Sequence, residues 1–167
     1  MINAIKKRRA VRDYLNKSVS DDQLQELLNA AACAPSANAL YPWGLVIVED
    51  HAVKEMLSKT TPWATFAKEA AVIIAVVGHK NESPEWIEDC SIVAEHLWLE
   101  ATEQGLGACW IQIRNQGKAE DAVKSILNIP GQHGVLCLMA IGVSAKPLAG
   151  HDPSTANKNK FKFEKYK

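Results

Sequence analysis

The chain has 167 residues, 47% hydrophobic and 23% charged, which predicts a single globular domain spanning 1–167 with a core of its own. Nineteen Lys and Arg balance nineteen Asp and Glu, and that neutrality speaks against a nucleic-acid partner, which would call for a basic surface. No stretch approaches the roughly 18 apolar residues of a spanning helix. The basic start, Met1 to Arg12, leads into no apolar segment of the secretory kind, so a cytoplasmic protein without a membrane partner is expected.

In chain order, Ser20-Asp21-Asp22-Gln23 has the form of a capping box. Leu24, Leu27, Leu28 and Ala31 follow at helical spacing, so an amphipathic helix is expected to about Cys33, stopped by Pro35. Asn38 to Pro42 reads as a loop and Gly44 to Val48 as a short buried strand. A short helix over Ala52 to Leu57 precedes the clearest strand, Val72 to Val77. Ser83-Pro84-Glu85 reads as an N-cap followed by a first-turn proline. It opens a long helix to Gln104 with Gly105 as its stop. A strand over Ala108 to Ile113, a helix over Ala119 to Leu127 and a strand over Val135 to Val143 complete the pattern. In the Lys-rich tail, Phe161, Phe163 and Tyr166 alternate with charges like an edge strand. Such a tail either frays or docks on a partner subunit, because a strand needs a sheet to join.

Cys33, Cys90, Cys109 and Cys137 sit among apolar neighbours without metal-ligand spacing, and four buried reduced thiols are expected. The five histidines form no metal-binding pattern, and neither a nucleophile elbow nor a P-loop is present. Glu82, Glu85, Glu88 and Asp89 read as the acidic start of a helix.

Three segments could carry chemistry. Lys6-Lys7-Arg8-Arg9-Ala10-Val11-Arg12 gathers five cations in seven residues, and Arg8 and Arg12 share a face if a helix runs through them. Paired guanidiniums suit a phosphate, although a solvated basic face has the same pattern. The loop from Ala34 to Trp43 could offer backbone amides and a hydroxyl to a ligand, with Trp43 as a wall, or could simply connect helix to strand. Gly105-Leu106-Gly107 follows a helix and opens a strand, the reverse of a dinucleotide fingerprint, and reads as a helix stop.

Together these segments resemble the nitroreductase family. Arg8-Arg9-Ala10-Val11-Arg12-Asp13-Tyr14 is similar to its Arg-Arg-Ser-x-Arg-x-Phe start, and Pro35 to Trp43 to its Pro-Ser-x-x-Asn-x-Gln-Pro-Trp loop. Gly105 to Ile111 resembles its Gly-Leu-Gly-x-Cys-Trp-Ile run, and Lys160-Phe161-Lys162 its C-terminal cationic element. The resemblance implies an α+β fold with a mixed sheet flanked by helices, and a homodimer exchanging C-terminal segments, with FMN at the interface. It implies an FMN-dependent oxidoreductase that takes electrons from NADH or NADPH and passes them by a ping-pong mechanism to a small acceptor, a nitroaromatic or quinone. The flavin carries the chemistry, so no catalytic side chain and no metal is expected.

By the same resemblance, Arg8, Arg9, Arg12 and Lys160 hold the flavin phosphate and ribityl chain. Pro35, Ser36, Ala37 and Asn38 come from the second subunit around the ring, and the backbone of Ile111 and Gln112 approaches N5. Ala10 in place of Ser, Tyr41 in place of Gln and the early Asn38 depart from the pattern. The chain's shortness implies an open substrate pocket. Three other readings stand beside this one: a non-catalytic flavin-binding protein, a different enzyme on the same scaffold, and a nucleic-acid or protein-binding module built on the N-terminal basic cluster.

Overall fold

The computed structural model describes residues 1–155 and 158–166. Five α-helices are formed among them: α1 (Asn3–Lys7), α2 (Asp21–Ala32), α3 (His51–Ser58), α4 (Trp86–Glu103) and α5 (Lys118–Leu127). Four strands, β1 (Trp43–Val48), β2 (Val72–Gly78), β3 (Gly107–Gln112) and β4 (Gly134–Gly142), form one sheet in the order β1-β2-β4-β3. Every strand pair is antiparallel, so the mixed sheet that the resemblance implied is corrected for the described residues. The one parallel contact among the described residues is an isolated bridge from Ala10 to Ala108.

The central strands explain their own composition. β2 and β4 are buried along their whole length because helices cover both faces, which favours continuous apolar runs over alternation. Val72, Ile74 and Val76 meet α2 and α4 on one side. Ile73, Ala75 and Val77 join Leu57 of α3, Val123 of α5 and Ala67 of a 3-10 turn, Thr65–Glu69, on the other. β1 is an edge strand, mostly half-buried, with Ile47 exposed, so the buried strand expected there is corrected.

Local chemistry sets the helix ends. Ser20 and Gln23 form the expected reciprocal cap on α2. Asp50 caps α3 through the Val53 amide. The start expected at Ser83-Pro84 falls two residues later. The Ser83 hydroxyl accepts from the Glu85 amide and donates to its carboxylate, forming a turn that delivers Trp86 to the sheet. There the indole lies against Gly78 and Gly134, where a Cβ on Gly134 would meet the ring at 2.7 Å.

Three of the four cysteines are buried, and burial raises their thiol pKa values, Cys90 to about 12. Cys33 is exposed, against expectation. It caps the C-terminus of α2, beyond Leu27 and Ala31, which make that helix's buried face.

Candidate functional site

The N-terminal basic segment is not a helix through Arg12. α1 ends at Lys7 with Arg8 as its cap, because the next residues take their hydrogen bonds from the sheet. The Val11 amide donates to Ala108 O (3.0 Å), and the Leu15 amide to Val143 O (2.9 Å). Tyr14 bridges Ser144, and its buried hydroxyl lies 2.8 Å from both Val11 O and Ala140 O, which share its single proton. Burial drives the Tyr14 pKa well above the ordinary phenol range, with Arg12 acting in the opposite sense; the phenol is therefore a fixed donor.

The second glycine of Gly105-Leu106-Gly107 has a packing role that the sequence did not announce. Gly105 ends α4 with φ 75°, as a helix stop does. At Gly107 a Cβ would come within 2.6 Å of Val11 Cγ2, so the missing side chain lets residues 10–11 lie on the edge of β3.

This placement spreads the three arginines over different tasks. Arg8 stacks its guanidinium on Trp98 of α4 at 4.4 Å, while Arg12 stands 5.9 Å from the Phe66 ring. Trp98 packs on the core layer of α2 and α4, Phe66 on the opposite layer. The segment therefore crosses the edge of the sheet with one guanidinium towards each layer. Neither Arg8 nor Arg12 makes a hydrogen bond or ion pair with another side chain among the described residues. Arg9 is spent differently, donating from Nε to Ala149 O (2.6 Å) and from Nη2 to Gly150 O (2.9 Å).

β3, the neighbouring edge strand, pairs with β4 alone apart from the Ala10 bridge. Ile111 is buried. The Gln112 side chain is committed at both ends, accepting from Trp110 Nε1 and donating to Arg114 O, each at 2.9 Å. What this stretch can offer a ligand is its backbone.

The Pro35–Pro42 loop is organised by Asp89, which lies in the first turn of α4 as the acidic start of that helix led one to expect. Asp89 is 3% exposed. Its carboxylate accepts from Ser36 Oγ (2.6 Å) and from the Ala37 amide (3.2 Å), while Ser36 Oγ accepts from the Tyr41 amide (2.8 Å). The signal was its phase: Asp89 lies four and eight residues before Val93 and Leu97 on the buried face of α4. Held in this way, Asn38, Ala39 and Tyr41 take φ values of 52°, 55° and 50°, a left-handed conformation costly for residues with a Cβ. Trp43 is half-buried and packs on the core, so it is chiefly a structural residue rather than an open wall.

Within one chain these parts do not converge. The loop sits at Asp89 and Arg8 at Trp98, nine residues along α4, or about 14 Å of helix. Lys160 stands in an exposed turn, Lys158–Lys160. Residues 161–166 form no strand, against the edge-strand pattern of their sequence, and leave Phe161, Phe163 and Tyr166 exposed. No group of His, Cys, Asp and Glu among the described residues can hold a metal. No described helix is long and apolar enough to cross a membrane.

Comparison with known proteins identifies the family. The model of the nitroreductase family matches residues 5–63 and 52–143. The chain belongs to the nitroreductase family. A relative from Archaeoglobus fulgidus, provisionally named NADH dehydrogenase/NAD(P)H nitroreductase, is 30% identical to this nitroreductase-family chain over 81% of it and 80% of the relative. A Thermus thermophilus NADH dehydrogenase is 28% identical over 88% and 72%. Among solved structures, an FMN-dependent nitroreductase from Clostridium difficile R20291 superposes with a TM-score of 0.95 at 33% identity, covering 99% of this chain and all of that one. The α+β architecture is that of the family.

Proposed function

We propose that this chain is an FMN-dependent oxidoreductase that takes two electrons from NADH or NADPH and passes them to a small acceptor, a nitroaromatic or quinone. The observation that carries the proposal is the pair of guanidiniums, Arg8 and Arg12, which have no side-chain acceptor among the described residues and stand at the sheet edge beside β3. Bound FMN would supply the electron-transfer chemistry.

The donor set fits such a group. Arg8 and Arg12 bind the phosphate and ribityl hydroxyls, and charge-assisted hydrogen bonds of this kind are worth about 1.5–3 kcal/mol each. Lys160 adds a third cation from the C-terminal segment. The backbone at Ile111 and Gln112 would be the part of β3 offered to the flavin, where an amide donor would stabilise developing negative charge. Arg9 acts one step removed, tying the segment after β4 to the arginine-bearing segment.

The distance along α4 between the Ser36 loop and the arginines supports a homodimer in which Pro35, Ser36, Ala37 and Asn38 of one protomer cover the flavin held by the other. The exposed aromatic tail supports exchange of C-terminal segments in that dimer. Reductant and acceptor would use one open site in turn, and ping-pong kinetics are the expected consequence.

The test is FMN affinity. Arg8→Ala and Arg12→Ala are each expected to weaken FMN roughly ten- to a hundredfold, with far-UV circular dichroism unchanged. Wild-type affinity in both variants refutes the assignment.

A further inference from the structure

Lys6 and Lys7 belong to the basic cluster yet take no part in the flavin assignment. Both line a cavity of about 830 Å³ between α1, the last turn of α4 and the segment after β4, within the range of small-molecule sites. We propose that this cavity binds a small amphipathic anion, a carboxylate or sulfonate carried on an apolar ring or chain.

The walls of the cavity are stapled together. The His151 amide donates to Lys6 O (2.7 Å), and its Nε2 lies 2.8 Å from Arg8 O. Arg9 holds the carbonyls of Ala149 and Gly150. Gly150 lies so close to α1 that a Cβ there would sit 3.1 Å from Lys6 O. Four polar contacts thus hold the segment after β4 across the end of α1 and keep the space between them open.

The lining is divided by chemistry. Leu106, Val143, Pro147 and Leu148 offer an apolar surface, and Lys6 and Lys7 offer cations. Neither ammonium has an acceptor among the described residues. Lys146, the third lysine of the lining, is already bonded to Asp13 at 2.6 Å. Glu103, at the end of α4, is the one acid in the lining. An apolar body on Leu106 and Leu148 with its charge at Lys6 and Lys7 satisfies both surfaces. A cation would meet two ammonium groups, and a neutral molecule would leave them unused. The site is separate from the flavin assignment, since neither Arg8 nor Arg12 lines it.

Calorimetric titration of the full-length flavin-loaded protein with naphthalene-1-sulfonate tests the proposal, with 1-naphthalenemethanol as the neutral comparison. One saturable sulfonate site per chain is expected. The Lys6→Gln/Lys7→Gln double variant should weaken it roughly three- to tenfold, and Leu148→Asp by at least as much, while Lys80→Gln, at an exposed lysine outside the cavity, leaves it unchanged. All the substituted positions are exposed, and circular dichroism checks that each variant folds. Absence of saturable binding, equal binding of the alcohol, or binding indifferent to the lysine and leucine changes overturns the proposal. FMN retention is read separately by absorbance, so failure here and failure of the flavin assignment are distinguishable.

Discussion

Replacing Asp89 by Ala removes the anchor of the loop assigned to the flavin's second side. The carboxylate is almost wholly buried and holds Ser36 Oγ at 2.6 Å and the Ala37 amide at 3.2 Å. Hydrogen bonds to a charged acceptor contribute about 1.5–3 kcal/mol each. Ser36 and Ala37 are only half-buried, so water recovers part of the loss and a net cost near 3 kcal/mol is expected. In a chain of this length that lowers Tm by roughly 6–12 °C. The effect extends beyond stability, because the anchored loop keeps Asn38, Ala39 and Tyr41 at positive φ, a conformation it no longer has to hold once the anchor is gone. FMN affinity should therefore fall although Asp89 is not assigned to the flavin. Asp89→Asn keeps one acceptor for Ala37 and can donate to Ser36 Oγ, so it should cost about half as much. Urea unfolding gives the stability, limited proteolysis the loop opening and FMN titration the link to binding. A Asp89→Ala protein within about 0.5 kcal/mol of wild type, with its loop protected and its FMN affinity intact, would refute the reasoning.

Other consequences follow from the same structure. Tyr14→Phe leaves Val11 O and Ala140 O without their buried donor and should cost about 1–3 kcal/mol in urea unfolding, weakening FMN as the arginine segment loosens. With an aromatic disulfide reagent, one thiol per native chain, Cys33, should react fast, and four after denaturation; fast reaction in a native Cys33→Ser variant would contradict this. Burial raises the Cys90 thiol pKa to about 12, above its unfolded value near about 8.5. The folded chain then holds more protons than the unfolded one, so this contribution to stability is complete below the unfolded value and is lost as pH rises towards 12. Cys90→Ala should flatten that alkaline decline, measured as unfolding free energy against pH.

Much of the scaffold was legible because its signals are local. The Ser20–Gln23 cap, the apolar runs of β2 and β4 and the glycine stop of α4 depend on near neighbours, and each lies where the sequence placed it. What was not legible depends on distant chain. α1 stops at Lys7 because Ala108 O and Val143 O claim the following amides. Ser83 forms a turn instead of a cap, delivering Trp86 to glycines on two strands. β1 has a buried strand's composition but lies at an edge, a matter of topology. At the site, the motifs found the arginines and the loop. They could not show that Arg9 is spent on the C-terminal segment or that Asp89 is turned inward to hold Ser36. Those roles are set by contacts 53 to 141 residues apart in the chain.

The central claim, that this chain uses FMN to accept electrons from a nicotinamide, is tested most directly by anaerobic stopped-flow absorbance of the FMN-loaded protein mixed with NADH or NADPH. Rapid bleaching of the visible flavin band, reversed when a quinone or nitroaromatic is added, is the predicted result. A bound flavin that neither coenzyme reduces at a rate able to support turnover would contradict the claim and leave a flavin-binding protein without this activity.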